Sequence, residues 1–243
     1  MNIKELFTFS ENYSEHGFQL DQFINFVQYF MIALFIGWSI FFFVCLFRFW
    51  HKKNPKSNKG VQGHASYHVE IGVIIIEAIL LLAFAFPLWK ERSDSFEKVM
   101  LSKPERVRVV GWQFGWTYHY PGKDGLFGRI DARQISGSNE LGIDKNDPNG
   151  ADDFTAAILK IPVGIPAILQ VTSKDVIHNY AIIPMRIQQD ALPGKDIPMW
   201  FTPIKTMETY VVCGQLCGEG HANMVGTMEV IEEEEYREWY AAQ

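Results

Sequence analysis

Residues 23–50 are apolar almost throughout, with Gly37 and Ser39 as the small interruptions. A helix needs about 20 such residues to cross a hydrocarbon core, and a core helix rarely runs so long without charge, so this stretch predicts a membrane-spanning helix. Residues 69–89 form a second apolar run that closes on Pro87, Leu88 and Trp89, with the tryptophan where an interface would fall. Between the two, residues 48–60 carry five Lys and Arg and no acid, and Pro55 and Gly60 break the helix. A basic loop between two spans is expected on the cytoplasmic side, which puts both chain ends outside. Residues 1–21 are polar and lack the apolar core and cleavage site of a secretory signal.

Beyond a charged connector at 90–104, the pattern shortens to that of strands. Residues 106–110 alternate, residues 111–122 are dense in aromatics, and apolar runs follow at 156–162, 167–172, 179–183, 207–212 and 225–231. Short strands separated by Gly, Pro, Asn and Asp argue a β-sandwich or barrel. Residues 134–153, rich in Gly, Ser, Asn and Asp, are expected to be an exposed loop. The acids and aromatics of 232–239 suggest a charged terminal helix with a solvated face. The division is then 1–22 as an outer segment, 23–90 as a helical hairpin with a basic loop at 51–68, and 91–243 as an outer β domain.

Charge sharpens this division. The 243 residues carry a net −6, and from Glu91 onward 15 Lys and Arg face 22 Asp and Glu, a net of −7. An acidic outer domain suits a basic protein partner or simple solubility, and argues against nucleic acid.

The chemistry concentrates in one stretch. Cys213, Cys217, His221 and Met224 lie within twelve residues, interleaved with Gly214, Gly218 and Gly220. Two thiols, an imidazole and a thioether select a soft metal, copper above all. A further ligand must come from elsewhere, and His178, between two strand-like runs, is the best placed. A disulfide between Cys213 and Cys217 is the plainer alternative, but it leaves His221 and Met224 without a purpose. Glu70 and Glu77 stand in the second apolar run, where a carboxylate is expensive and faces protein or water. His16, His51, His64, His68 and His119 are scattered, and each is expected to be ordinary. No Cys-x-x-Cys-His occurs, so a fused c-type haem is not expected.

The spacing Cys-x3-Cys-x3-His-x2-Met, with Asp175-Val176-Ile177-His178 and Asp190-x-x-Pro193-Gly194 before it, resembles subunit II of the haem-copper cytochrome c oxidases over nearly the whole chain. The resemblance implies a two-helix transmembrane hairpin followed by an all-β, cupredoxin-like Greek-key domain, with the metal loop between its last two strands. It implies a dinuclear copper A centre. Cys213 and Cys217 would bridge two copper ions, His178 and His221 would each cap one, Met224 would bind weakly, and Gln215 would offer its backbone carbonyl. The family more often has Glu at position 215, so the side-chain contact to a neighbouring magnesium is not implied here. Electrons would arrive from a separate c-type cytochrome and pass to haem in subunit I. That partner, with haems and a further copper, would reduce oxygen to water and translocate protons, alongside other oxidase subunits in the lipid bilayer.

Phe114 occupies the position where the family has an electron-accepting tryptophan, leaving Phe114 or Trp116 to serve. Asp175 and Asn179 would orient the metal ligands or dock the donor, Glu70 would stand near a proton-path entrance, and Asp190 and Glu77 would face subunit I. The aromatic departures favour a bacterial plasma membrane over a mitochondrial inner membrane. A membrane-anchored copper delivery or sensing module is the alternative; a quinol oxidase subunit would lack the copper ligands, and nitrous oxide reductase would lack the hairpin.

Overall fold

The structure, a computed structural model, describes residues 10–50 and 65–243. The basic loop, including His51 and His64, therefore lies outside the described residues for most of its length. The chain divides into two compact units, residues 21–98 and a second comprising 1–20 with 99–243.

The first unit is helical. Helix α1 (Gly17–Arg48) is followed by α2 (Ala65–Leu80), a π-helical turn (Leu81–Ala85) and α3 (Phe86–Leu101). The last three run on as one helix, and both long helices are long and apolar enough to cross a membrane. Phe26, in the first half of α1, stacks on Phe84, midway along the second helix, with ring centroids 5.6 Å apart. The expected connector at 90–104 is instead mostly helix, as far as Leu101. Extending an existing helix needs no new nucleus, and this segment is rich in good helix formers. It stops where Lys103 turns to φ +55° ahead of Pro104.

The second unit is a sandwich of two five-stranded sheets. One has the order β3 (Phe154–Ala156), β2 (Gly115–Tyr120), β1 (Glu105–Trp112), β5 (Ala167–Ser173) and β8 (Ile197–Phe201). The other runs β4 (Ile158–Pro162), β10 (Val225–Ile231), β9 (Met207–Cys213), β6 (His178–Ile182) and β7 (Ile187–Ala191). Pairs β1–β5 and β4–β10 are parallel and the others antiparallel. Alternation along the central strands turns Val107, Val109, Leu169, Val171, Tyr180 and Met228 into a shared core. Strands β7 and β8 lie at sheet edges, where polar residues and Pro198 are tolerated, which is why no apolar run announced them.

Two further expectations are corrected. The terminal helix α4 (Glu233–Ala241) is not simply a solvated face: Tyr236 is buried, and Trp239 and Tyr240 pack their rings against Tyr120. Such aromatic contacts add about 0.5–1.5 kcal/mol each beyond area burial. The 134–153 segment is not wholly exposed either, since Leu141 and Ile143 bury against Val110, and Asp144 and Asp153 are buried. The N-terminal residues Tyr13 to Glu15 pair with the β domain, and the Ser14 hydroxyl donates to the Met185 carbonyl at 2.8 Å.

Candidate metal centre

The loop from Gly214 to Met224 joins β9 to β10. Pairing continues to Val212 opposite Val225, and the Cys213 N–H then donates to the Met224 carbonyl at 3.2 Å, closing the neck of the loop. That closure sets Cys213 and Met224 side by side. A 3-10 turn at His221–Asn223 aims His221 back toward the neck. Gly218 is the position where the backbone requires glycine: its φ is +137°, and an added Cβ would fall 2.9 Å from Gln113 Nε2.

All six residues expected to hold copper meet here. Cys213 Sγ lies 3.9 Å from Cys217 Sγ, 3.9 Å from His178 Nδ1 and 3.2 Å from the Gln215 carbonyl oxygen. Cys217 Sγ lies 3.7 Å from His221 Nδ1 and 3.7 Å from Met224 Sδ. The donor atoms of His178, Cys213 and Cys217 fall within 4.8 Å of one another. Both cysteines are free thiols. Met224 and His178 are buried, the thiols nearly so, and His221 is half-buried. Sulfur, imidazole and carbonyl donors around one small volume fit soft copper ions.

Burial, then the neighbouring Cys213, pushes the Cys217 thiol up to about 11. A metal binding as a thiolate complex must therefore displace a proton, and its affinity rises with pH. His178 Nε2 lies 2.8 Å from Asp175 Oδ1. Burial alone would raise the Asp175 carboxyl, but hydrogen bonds from His178 and from the Gln113 and Val176 amides outweigh it and hold the group below its usual value. An ionised Asp175 accepts the Nε2 proton, which leaves the Nδ1 lone pair bare toward Cys213.

The other expected site residues are distributed as follows. The Asn179 carbonyl accepts from the Gly214 N–H at 2.9 Å, and its amide donates to Asp190 Oδ1 at 2.7 Å, tying β6, β7 and the loop together. Phe114 lies over Gly218 and Gly220 and is 38% exposed. Trp116 is buried, edge-on to His178 at 5.9 Å and to Tyr180 at 4.8 Å. Glu70 and Glu77 are exposed on α2, seven residues and about two turns apart on one face.

Two arrangements had no signal in the sequence. Gln113, in the β1–β2 turn, reaches residues on both ligand-bearing segments. His119, expected to be ordinary, lies buried in β2 with Asp153 at 2.6 Å. In both cases the partners are far apart in the chain, and no local spacing marks them.

The family model described as the periplasmic domain of cytochrome c oxidase subunit II matches residues 106–231. An alternative cytochrome c oxidase subunit 2 of Bradyrhizobium diazoefficiens is 32% identical over 92% of this chain and 80% of its own length. A probable cytochrome c oxidase subunit 2 of Rickettsia felis is 31% identical over 92% of this chain and 67% of its own. Among solved structures, the periplasmic domain of cytochrome oxidase subunit II of Bradyrhizobium japonicum is 30% identical, covering 57% of this chain and 91% of that one with a TM-score of 0.42.

Proposed function

The chain belongs to the cytochrome c oxidase subunit II family, and from that premise we propose that it is the electron-input subunit of its oxidase. Its place in the family makes it part of an oxidase complex, and its two long apolar helices and periplasmic-type β domain fit a bacterial membrane protein. In the proposed reading, electrons arrive from a c-type cytochrome at the outer face and leave for haem in the large partner subunit. Oxygen is reduced to water there, with proton translocation.

His178, Cys213, Cys217, His221 and Met224, with the Gln215 carbonyl, would hold two copper ions. When bound, the dinuclear centre supplies a one-electron carrier whose charge is shared over two metals, which limits rearrangement. This chain's residues do the rest. The β9–β10 neck fixes Cys213 and Met224, Asp175 orients the His178 ring, and the buried sulfurs exclude water. Strand-anchored ligands move little between redox states, as fast transfer demands. Phe114 and the acidic Asp175 form the surface toward the donor, with Asn179 behind them. Glu70 stands at a proton-path entrance, and Glu77 and Asp190 face the partner subunit. Both termini lie on the outer side.

The observation that carries the reading is the convergence of two thiols, two imidazoles and a thioether on one volume. The test is the full chain in detergent, loaded with copper, counted for metal and examined by electron paramagnetic resonance. Two coppers per chain with a seven-line mixed-valence signal support it. One mononuclear copper, or a Cys213–Cys217 disulfide that persists after mild reduction, would shift the assignment to copper delivery or sensing.

A further inference from the structure

We propose that Gln113 is a positioning residue that locks the two ligand-bearing segments of the metal centre to each other. The inference rests on the copper reading above. Four of the expected side-chain ligands come from the end of β9 and the loop that follows it, and the fifth, His178, comes from the start of β6. The sandwich brings the two segments close, but closeness alone does not fix the angle at which each presents its donors. Gln113, in the β1–β2 turn, touches both. Its backbone N–H donates to Asp175 Oδ2 at 2.7 Å, while Asp175 Oδ1 holds His178 Nε2 at 2.8 Å. Its side-chain Nε2 donates to the Cys217 carbonyl at 2.6 Å.

One residue therefore governs the orientation of an imidazole through a carboxylate and of a thiol through its own peptide group. These partners are 62 and 104 residues distant in sequence. The loop is shaped to admit the amide. At Gly218 a side chain would meet Gln113 Nε2 at 2.9 Å and the Phe114 ring at 3.1 Å, so the absence of a Cβ there is what lets the turn seat against the metal loop.

The two contacts divide the work. The backbone donor, with the Val176 amide, holds the Asp175 carboxylate toward the turn, where its Oδ1 faces His178 Nε2. The side-chain donor pins the peptide that carries Cys217, whose sulfur faces Cys213, His221 and Met224 together. Gln113→Leu keeps the volume and the backbone donor but removes the amide. Gln113→Asn keeps the amide but withdraws it by one methylene, too short to reach the carbonyl.

Partners of this kind typically change metal affinity by roughly 10- to 100-fold when removed. The experiment compares the wild-type full chain, Gln113→Leu and Gln113→Asn, each loaded with copper. It reads copper affinity by chelator competition, the hyperfine pattern, the reduction potential and the circular dichroism of the β domain. The expected result is an unchanged fold, a loss of affinity of about tenfold or more in both variants, and a shifted hyperfine pattern and potential. A wild-type two-copper signal with variants matching it in affinity, spectrum and potential would overturn the inference while leaving the copper reading intact. A wild-type chain that binds no copper pair would overturn both.

Discussion

Two histidines of the β domain are fully buried, and each sets its Nε2 against a carboxylate, Asp175 at 2.8 Å for His178 and Asp153 at 2.6 Å for His119. They differ at Nδ1. That of His178 faces Cys213 Sγ, whereas that of His119 faces Arg108 Nη1 at 3.4 Å. A carboxylate on Nε2 makes that nitrogen the donor and leaves the other lone pair free. Beside thiols the lone pair is open to a metal in the proposed reading; beside a guanidinium it is a hydrogen-bond acceptor. Burial, followed by the positive charges of Arg108 and Lys145, pushes His119 down to about 3, so it stays neutral with both nitrogens satisfied. Neither burial nor a carboxylate partner marks a ligand; the atom facing the second nitrogen does.

The largest effects should follow from removing the ligand side of this contrast. His178→Ala or Cys217→Ser is expected to abolish the dinuclear signal and leave at most one copper per chain, as read by metal analysis and electron paramagnetic resonance. Retention of two coppers in either variant would erase the distinction between the histidines.

His119→Leu should do the reverse. It leaves the Asp153 charge buried without its imidazole donor, at a cost of about 3 kcal/mol. For a domain of this size that lowers the melting temperature by about 6–12 °C, with copper content unchanged. A thermal melt by circular dichroism checks it, and a normal melt would show the pair to be dispensable. Asp175→Asn is milder, keeping the fold and both coppers at saturation but weakening copper affinity by about 10- to 100-fold in a chelator titration.

The smallest effect is in pH. His119 is lowered from 6.5 to about 3, so its contribution to stability is full above 6.5 and is lost as pH falls toward 3. Asp153 is raised from 3.8 to about 6 by burial, against hydrogen bonding from the Gly128 amide, so its contribution is present below 3.8 and lost as pH rises through 6. The two slopes oppose each other between these limits. In Asp153→Asn only the histidine slope remains, and the melting temperature should rise more steeply from pH 4 to pH 6 than in the wild type. Parallel curves would mean that the pair does not titrate as described.

The metal loop was legible because four of its side-chain donors are local, so spacing alone carries the chemistry. The helices were legible because a membrane-length apolar run has few other uses. What escaped depends on contacts between distant residues or on context. Gln113 lies between Trp112 and Phe114 with nothing local to distinguish it. The edge strands β7 and β8 are too polar, or too interrupted by proline, to show a strand pattern. In α4 the spacing of Tyr236, Trp239 and Tyr240 at i, i+3 and i+4 was a signal of a buried face, masked by the acids around it. All six residues of β2 are buried, with His119 on the face opposite Trp116, Tyr118 and Tyr120, so burial on both faces hid any strand period that could have pointed to its partner.

The closed neck of the metal loop also orders events in time. Every expected donor except His178 lies at or beyond Cys213, and the neck bond from the Cys213 N–H to the Met224 carbonyl sits where β9 and β10 begin to pair. During synthesis the ribosome must release the chain at least through Met224 before these donors can meet. In the proposed reading, copper capture would thus come late in synthesis, and a chain cut short before Met224 would lack the full set of expected donors.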